Sequence, residues 1–197
     1  MMNRRTFGKV LGLATGAGVA SLAGLPAFQG ASADTRGPAP ALPAVTPGTH
    51  TSFTSLKQVR AGVLNIGYAE AGPARGPAVI LLHGWPYDIH SFVDVAPLLA
   101  AQGYRVVVPY LRGHGTTRFL SAKTVRNAQQ SAIALDIIAL MDALKIDKAV
   151  LAGFDWGSRT ADIIAALWPQ RCKGIVAVSG YLITQRMLAM FKKRETK

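Results

Sequence analysis

The sequence predicts an α/β domain with a mostly parallel sheet and helices on both faces. It is entered through an antiparallel hairpin and ends after about the sixth strand. Three observations predict it. Short, continuous apolar runs such as Ala78 to Leu82 (AVILL) read as strands buried on both faces. Longer stretches with apolar residues at helical spacing separate these runs, and such alternation implies parallel strands joined by right-handed crossovers. Gly-bearing loops follow the strands, at the carboxyl ends where ligands sit in sheets of this kind.

The elements follow in order. Residues 3 to 9 read Asn-Arg-Arg-Thr-Phe-Gly-Lys, a mildly apolar Gly/Ala-rich stretch runs from Val10 to Leu25, and Ala31-Ser32-Ala33 is a small-x-small cleavage pattern. Residues 1–33 thus read as a cleaved export signal, with the Arg pair, Phe7 and Lys9 similar to the twin-arginine type. The apolar stretch is short and Gly-rich for a spanning helix, so no lasting membrane anchor and an exported mature chain are expected. Residues 34–51, Pro-rich over Gly37 to Gly48, read as an extended linker. The core is expected over 52–181. Ser52 to Ala61 and Val63 to Glu70 alternate and meet near Gly62, which predicts the hairpin. Ala78 to Leu82 is the first buried strand, Ile89 to Ala101 a helix, and Tyr104 to Val108 the second buried strand. Arg112 to Phe119 reads as a loop. Ala128 to Leu144 is a helix with Ile133, Ile137, Leu140, Met141 and Leu144 on one face. Ala149 to Gly153 is the third buried strand, Ser158 to Trp168 the helix after it, and Gly174 to Val178 a fourth strand.

Residues 182–197 change character. Ile183, Met187, Met190 and Phe191 share a helical face ahead of Lys192, Lys193 and Arg194. Three readings stay open: the start of a further helix, a tail from a shifted reading frame, or a basic amphipathic surface segment.

Composition narrows the function. The 197 residues are half hydrophobic and 16% charged, enough for one domain with a core. The net charge of +12 gathers partly at the two ends, and the middle has no basic run interleaved with aromatics, which argues against a nucleic-acid surface. Cys172 is the single cysteine, so the chain forms no internal disulfide and no cysteine-based zinc site. No cluster of residues implies a metal or cofactor, and the sequence says nothing about oligomeric state.

Three strand-end motifs carry chemistry. Gly153-Phe154-Asp155-Trp156-Gly157 lies between a strand and a helix, with the Gly-x-nucleophile-x-Gly spacing that lifts a side chain above the sheet. A carboxylate is already ionised near neutral pH and can attack a saturated carbon without a base. The pentapeptide alone reads equally as a Gly-rich turn with a helix-capping Asp. His83-Gly84-Trp85-Pro86 follows the first buried strand; its turn would aim the Trp85 N–H inward, to pair with the Trp156 N–H as an oxyanion hole. Arg112-Gly113-His114-Gly115-Thr116 follows the second and lacks the Lys of a phosphate loop. Ser158 reads as a polar residue near a helix N-terminus.

HGWP, RGHGT and GFDWG, in this order and at these intervals, resemble the α/β-hydrolase family over about Phe53 to Tyr181. Within it they are similar to the aspartate-nucleophile branch, the epoxide hydrolases and haloalkane dehalogenases. The resemblance implies that Asp155 is the nucleophile and that the Trp85 and Trp156 N–H groups bind the oxyanion. It makes His83, Gly84, Pro86, Arg112, Gly113, Gly115, Gly153 and Gly157 structural, with His83 bracing the oxyanion loop. The implied substrate is a small molecule, an epoxide or alkyl halide. Trp156 resembles the dehalogenases, but many of those have Asn where this chain has Trp85; HGWP with DWG is more similar to the epoxide hydrolases. Fluoroacetate-type dehalogenases typically carry Arg at the Trp156 position.

The sequence departs from that family after the elbow. An aspartate enzyme uses a His base and an acid that orients it. His50, His83, His90 and His114 all precede Asp155, and the only later carboxylates are Asp162 and Glu195. General base and acid are therefore not found, and His114 is the one histidine near the strand ends. The helical cap expected after the sixth strand is missing, and Tyr181 cannot be assigned a cap tyrosine's role. The expectation is a C-terminally shortened copy of an exported epoxide-hydrolase-like enzyme. The alternative is a non-catalytic remnant or partner-binding fragment, with an exposed sheet edge prone to association.

Overall fold

The computed structural model describes residues 52–180. The signal, the linker up to Thr51, His50, Tyr181 and the tail lie outside the described residues. Strands β1 (Leu56–Ala61) and β2 (Leu64–Ala71) form the antiparallel hairpin around Gly62, as expected. Strands β3 (Ala78–Leu82), β4 (Arg105–Pro109), a two-residue β5 (Arg118–Phe119), β6 (Ala149–Phe154) and β7 (Cys172–Val178) complete one seven-stranded sheet. Its order is β1-β2-β4-β3-β6-β7, with β5 pairing β2. β3 pairs in parallel with both β4 and β6, and β6 with β7, while β2 meets β4 antiparallel. The α/β architecture read from the sequence is therefore the one observed. β5, two residues within a segment read as loop, is too short to leave a pattern.

Helix α1 spans Val95–Ala101, α2 Gln130–Ala143 and α3 Trp156–Leu167. The helix expected over Ile89 to Ala101 is broken. A single 3-10 turn, Ile89–Phe92, begins on the Asp88 side chain, which accepts from the His90 N–H, and α1 starts separately at Val95. Pro97 explains the break. A continuous helix needs the residue 97 N–H to bond the Val93 carbonyl, and proline has none; in the first turn of α1 that loss costs nothing.

The alternation of β3 shows how the two layers form. Ala78, Ile80 and Leu82 pack with Ile133, Ile137, Leu140 and Met141 of α2 and Ile164 of α3. Val79 and Leu81 pack on the opposite face with Ile89, Phe92 and Ala96. β3, central in the sheet, is buried at every position. β6 departs from expectation, because only alternate residues are buried. Its Val150, Ala152 and Phe154 face an apolar groove of 660 Å³ shared with Leu99, Val176 and Val178. Val95 and Leu99 of the seven-residue α1 line one side of it. Val176 and Val178 on β7 are over half exposed.

Candidate active site at the strand ends

The carboxyl ends of β3, β4 and β6 bring the three motifs together. Asp155 sits between β6 and α3 with φ 51° and ψ −116°. That backbone region costs a non-glycine residue about 1–3 kcal/mol, and persists only where the surroundings over-determine it. They do so here. A Cβ on Gly157 would collide with the Leu82 carbonyl at the end of β3, and one on Gly153 would lie 2.5 Å from the Gly157 carbonyl carbon and 2.9 Å from the Leu82 oxygen. The two glycines let strand, turn and helix close against β3, and the Asp155 N–H is anchored to the Val178 carbonyl at 3.0 Å.

Geometry separates the two readings of the pentapeptide. Asp155 occupies the position just before α3, yet its side chain makes no capping hydrogen bond. Its carboxylate is a third exposed and turns to the loop after β3, where Oδ1 accepts the Trp85 N–H at 3.0 Å. Oδ2 lies 3.8 Å from Nη2 of Arg159, four residues on along α3. The Arg159 guanidinium in turn stands 5.9 Å from the Trp156 ring centroid. Trp156 is the first residue of α3, so its N–H is one of the helix-start donors without an intrahelical acceptor.

Gly84 stands where the two loops touch. A Cβ there would lie 2.6 Å from Asp155 Cβ and 2.8 Å from its Oδ1. Gly84→Ala is expected to push the carboxylate off the Trp85 N–H. A displacement of about 1 Å costs on the order of a hundredfold in rate. Any capture of an alkyl group by Asp155, the nucleophile expected from the sequence, should slow accordingly, while the melting temperature changes little. Parallel rate and melting measurements test this; an unchanged rate would refute it.

His83 is fully buried and joins two loops. Its Nε2 accepts the Leu111 N–H at 3.1 Å, so Nδ1 carries the proton and donates to the Gly84 carbonyl at 3.0 Å. Burial lowers its pKa to about 4, with the adjacent His114 ring acting in the same direction and the Gly84 carbonyl opposing. The ring is therefore neutral at pH 7. Unfolded histidine titrates near 6.5. Between the two values the unfolded chain binds the extra proton, so stability is complete above about pH 6.5 and falls as pH drops towards 4, by about 3 kcal/mol at most. Denaturation midpoints from pH 7 to 4.5 should show this slope, and His83→Gln should flatten it.

The Arg112 motif is an anchor. Arg112 Nε and Nη2 bind Asp136 Oδ2 and Oδ1 at 2.6 and 2.7 Å, Nη1 reaches the Asn127 carbonyl at 2.8 Å, and Nη2 the Ala132 carbonyl at 3.2 Å. Both side chains of the pair are 7% exposed. Gly113 has φ 82°, and Gly115, with φ 47°, lies against the Tyr110 ring, where a side chain would collide. Pro86 follows Trp85 through a cis peptide. His114 packs edge-on to His83 at 4.7 Å between ring centroids. It lines a cavity of 370 Å³ with Gly84, Trp85, Leu111, Arg112 and Trp156. The Trp85 side chain is 69% exposed at its mouth. Among the described residues no group of three or more His, Cys, Asp and Glu is placed to hold a metal.

Two residues, Asp136 and Arg159, have no role in the sequence reading. Asp136 is 24 positions from Arg112, and nothing in spacing links them. Arg159 was legible, since residues four apart on a helix face each other. Ser158 lies in the first turn of α3, as expected, and is fully buried there. Among the described residues its Oγ and Asp162 Oδ2 have no hydrogen-bond partner, and burial pushes the Asp162 carboxyl up.

The family described as alpha/beta hydrolase fold matches residues 77–194. Epoxide hydrolase B of Mycobacterium tuberculosis is 36% identical over 106 residues, 53% of this chain and 29% of that protein. Haloalkane dehalogenase of Mycobacterium marinum is 32% identical over 127 residues, 62% of this chain and 41% of that protein. Among solved structures, a Klebsiella pneumoniae chain provisionally described as an epoxide hydrolase is 67% identical, with a TM-score of 0.65 over 69% of this chain and 45% of that one. Potato epoxide hydrolase I is 28% identical, with a TM-score of 0.60 over 66% of this chain and 41% of that one. The chain thus spans less than half the length of each of these proteins.

Proposed function

The chain belongs to the alpha/beta hydrolase fold family, and on that premise we propose that it is an epoxide-hydrolase-like hydrolase using Asp155 to attack a saturated carbon. One observation carries the reading: Asp155 stands on a strained turn with its carboxylate uncommitted to the helix and held by the Trp85 N–H. Homologues named epoxide hydrolase support the substrate class.

The first step joins one carboxylate oxygen to the carbon and breaks the bond from that carbon to the leaving group, which departs with the bonding pair. A halide leaves without a proton, whereas an opening epoxide oxygen needs one. In the second step water gives a proton to a base and adds to the ester carbonyl carbon, negative charge gathers on the other oxygen, and collapse of that intermediate breaks the bond from the carbonyl carbon to the alkyl oxygen and releases the alcohol. Oδ1 already accepts the Trp85 N–H, and the Trp156 N–H at the start of α3 is the second donor of this oxyanion hole. Water needs a base for that step. All four histidines of the sequence precede Asp155, and His83 is spent on bracing.

A polypeptide of these 197 residues is therefore expected to take up one alkyl group from an activated alkyl halide and keep it. Intact-mass spectrometry over time reads both parts. Steady multiple turnover would refute the missing-base reading, and absence of any adduct at Asp155 would refute the nucleophile.

The haloalkane dehalogenase reading shares this first step and rests on the Mycobacterium marinum relative and on Trp156 beside the cavity. It predicts turnover-level preference for halides over epoxides in any form of the protein that hydrolyses the ester. The non-catalytic reading rests on β7, whose Ile175, Val176 and Val178 are exposed. A sharp cooperative melt of a monomeric sample counts against it.

A further inference from the structure

We propose that the cavity beside the elbow takes a substrate whose substituent carries an uncharged hydrogen-bond donor, a hydroxyl, and that His114 Nε2 accepts that donor. This rests on the reading of Asp155 as nucleophile. The first observation is the tautomer. His114 Nδ1 lies 3.2 Å from the Arg112 carbonyl, which can only accept, so Nδ1 carries the proton of the neutral ring. Nε2 then holds a bare lone pair, and among the described residues no hydrogen bond engages it. The ring itself is braced, edge-on to the buried His83.

The second observation is the chemistry of the cavity. Among the described residues that wall it, the Trp85 and Trp156 indoles and the Arg112 guanidinium can only donate. Arg112 is moreover spent on Asp136, Asn127 and Ala132. The other walls are aliphatic or glycine, so His114 alone brings a side-chain acceptor. Gly84 and Trp156 tie this cavity to the nucleophile, since Gly84 touches Asp155 and Trp156 follows it in the chain. A carbon under attack by Asp155 has this space beside it for a substituent. At 370 Å³ the cavity is near the small end of ligand pockets, with room for about a dozen water-sized groups. A substituent that fills it strips solvent from Nε2, and must return that hydrogen bond or forfeit it. A methyl group forfeits it. An ether or carboxylate oxygen sets a second lone pair against the first. A hydroxyl returns it.

Crotyl bromides that carry a hydroxyl or a methyl on the carbon farthest from bromine are nearly the same size and differ in that donor. With either, a C–O bond forms at Asp155, the C–Br bond breaks, bromide leaves with the bonding pair, and no proton moves. Labelling is followed by peptide mass mapping of the full chain with Cys172→Ser, which removes the competing thiol; Asp155→Asn supplies the background. The ratio of hydroxylated to methylated labelling rates is expected to fall about three- to tenfold in His114→Phe, and by less in His114→Gln, which keeps an acceptor. With the site unaltered, n-pentanol should slow labelling by the methylated bromide more than its isomer butyl methyl ether, which has no donor. That comparison needs no His114 variant to fold. An unchanged ratio in a folded His114→Phe, or equal slowing by the alcohol and the ether, overturns the substrate class, while labelling at Asp155 leaves the nucleophile standing. No labelling at Asp155 by either reagent overturns both.

Discussion

Replacing Asp155 by Asn is expected to remove covalent capture altogether. An activated alkyl halide that adds one alkyl group to the parent chain should add none at this position in the variant. The reason is chemical and local. A neutral amide is a far weaker nucleophile than a carboxylate, and no other group in the described residues stands on the same strained turn. The fold should survive, because the side chain caps nothing and the turn is held by Gly153, Gly157 and the Asp155 N–H bond to Val178. Asn is also tolerated at positive φ better than most residues. The measurement is intact mass and peptide mapping after timed exposure, with a melting curve alongside. An adduct that maps to the same peptide at the parent rate would show that another group is the nucleophile.

The second large effect is on stability. Arg112→Ala should cost about 3–5 kcal/mol, the penalty for leaving one member of a buried ion pair behind. In a domain of this size that lowers the melting temperature on the order of 10 °C. Five hydrogen bonds are lost together, two of them to the Asp136 carboxylate. Burial already pushes the Asp136 carboxyl above the usual range, and Arg112 is what opposes that shift. Without Arg112 the raised pKa should rise further. A folded carboxyl with a raised pKa binds its proton more tightly than the unfolded one, so the cost should be largest at neutral pH and shrink as pH falls through the acid range. Denaturant titrations of parent and variant at pH 7 and pH 5 test the size and the sign. A loss under 1 kcal/mol, or one that grows towards acid pH, would contradict the buried-pair account.

The fold was legible where pattern and physics coincide. The hairpin around Gly62 and the four principal strands after it are marked by alternation or by continuous apolar runs, and the structure has them all. Pro97 stood in plain view inside the expected first helix. The stricter reading, that its missing N–H forbids a hydrogen bond to Val93, locates the start of α1 from sequence alone. The three motifs stand out in the sequence because their spacing is local, and the structure gathers them at neighbouring strand ends. Contacts that depend on the path of the chain through space were not. Asp136 meets Arg112 only because α2 crosses back over the β4 loop, and His83 meets Leu111 only because β3 and β4 are neighbours in the sheet. The half-open face of β6 is equally illegible, since it depends on what packs against the sheet in space.

In free aspartate the two carboxylate oxygens are interchangeable. At Asp155 they are not, because one accepts a backbone N–H and the other looks towards a guanidinium. The fold has broken the symmetry of the group before any ligand arrives. On the proposed reading, one oxygen would make the bond and the other would carry the charge. That division of labour is inscribed in a backbone turn rather than chosen at the moment of reaction.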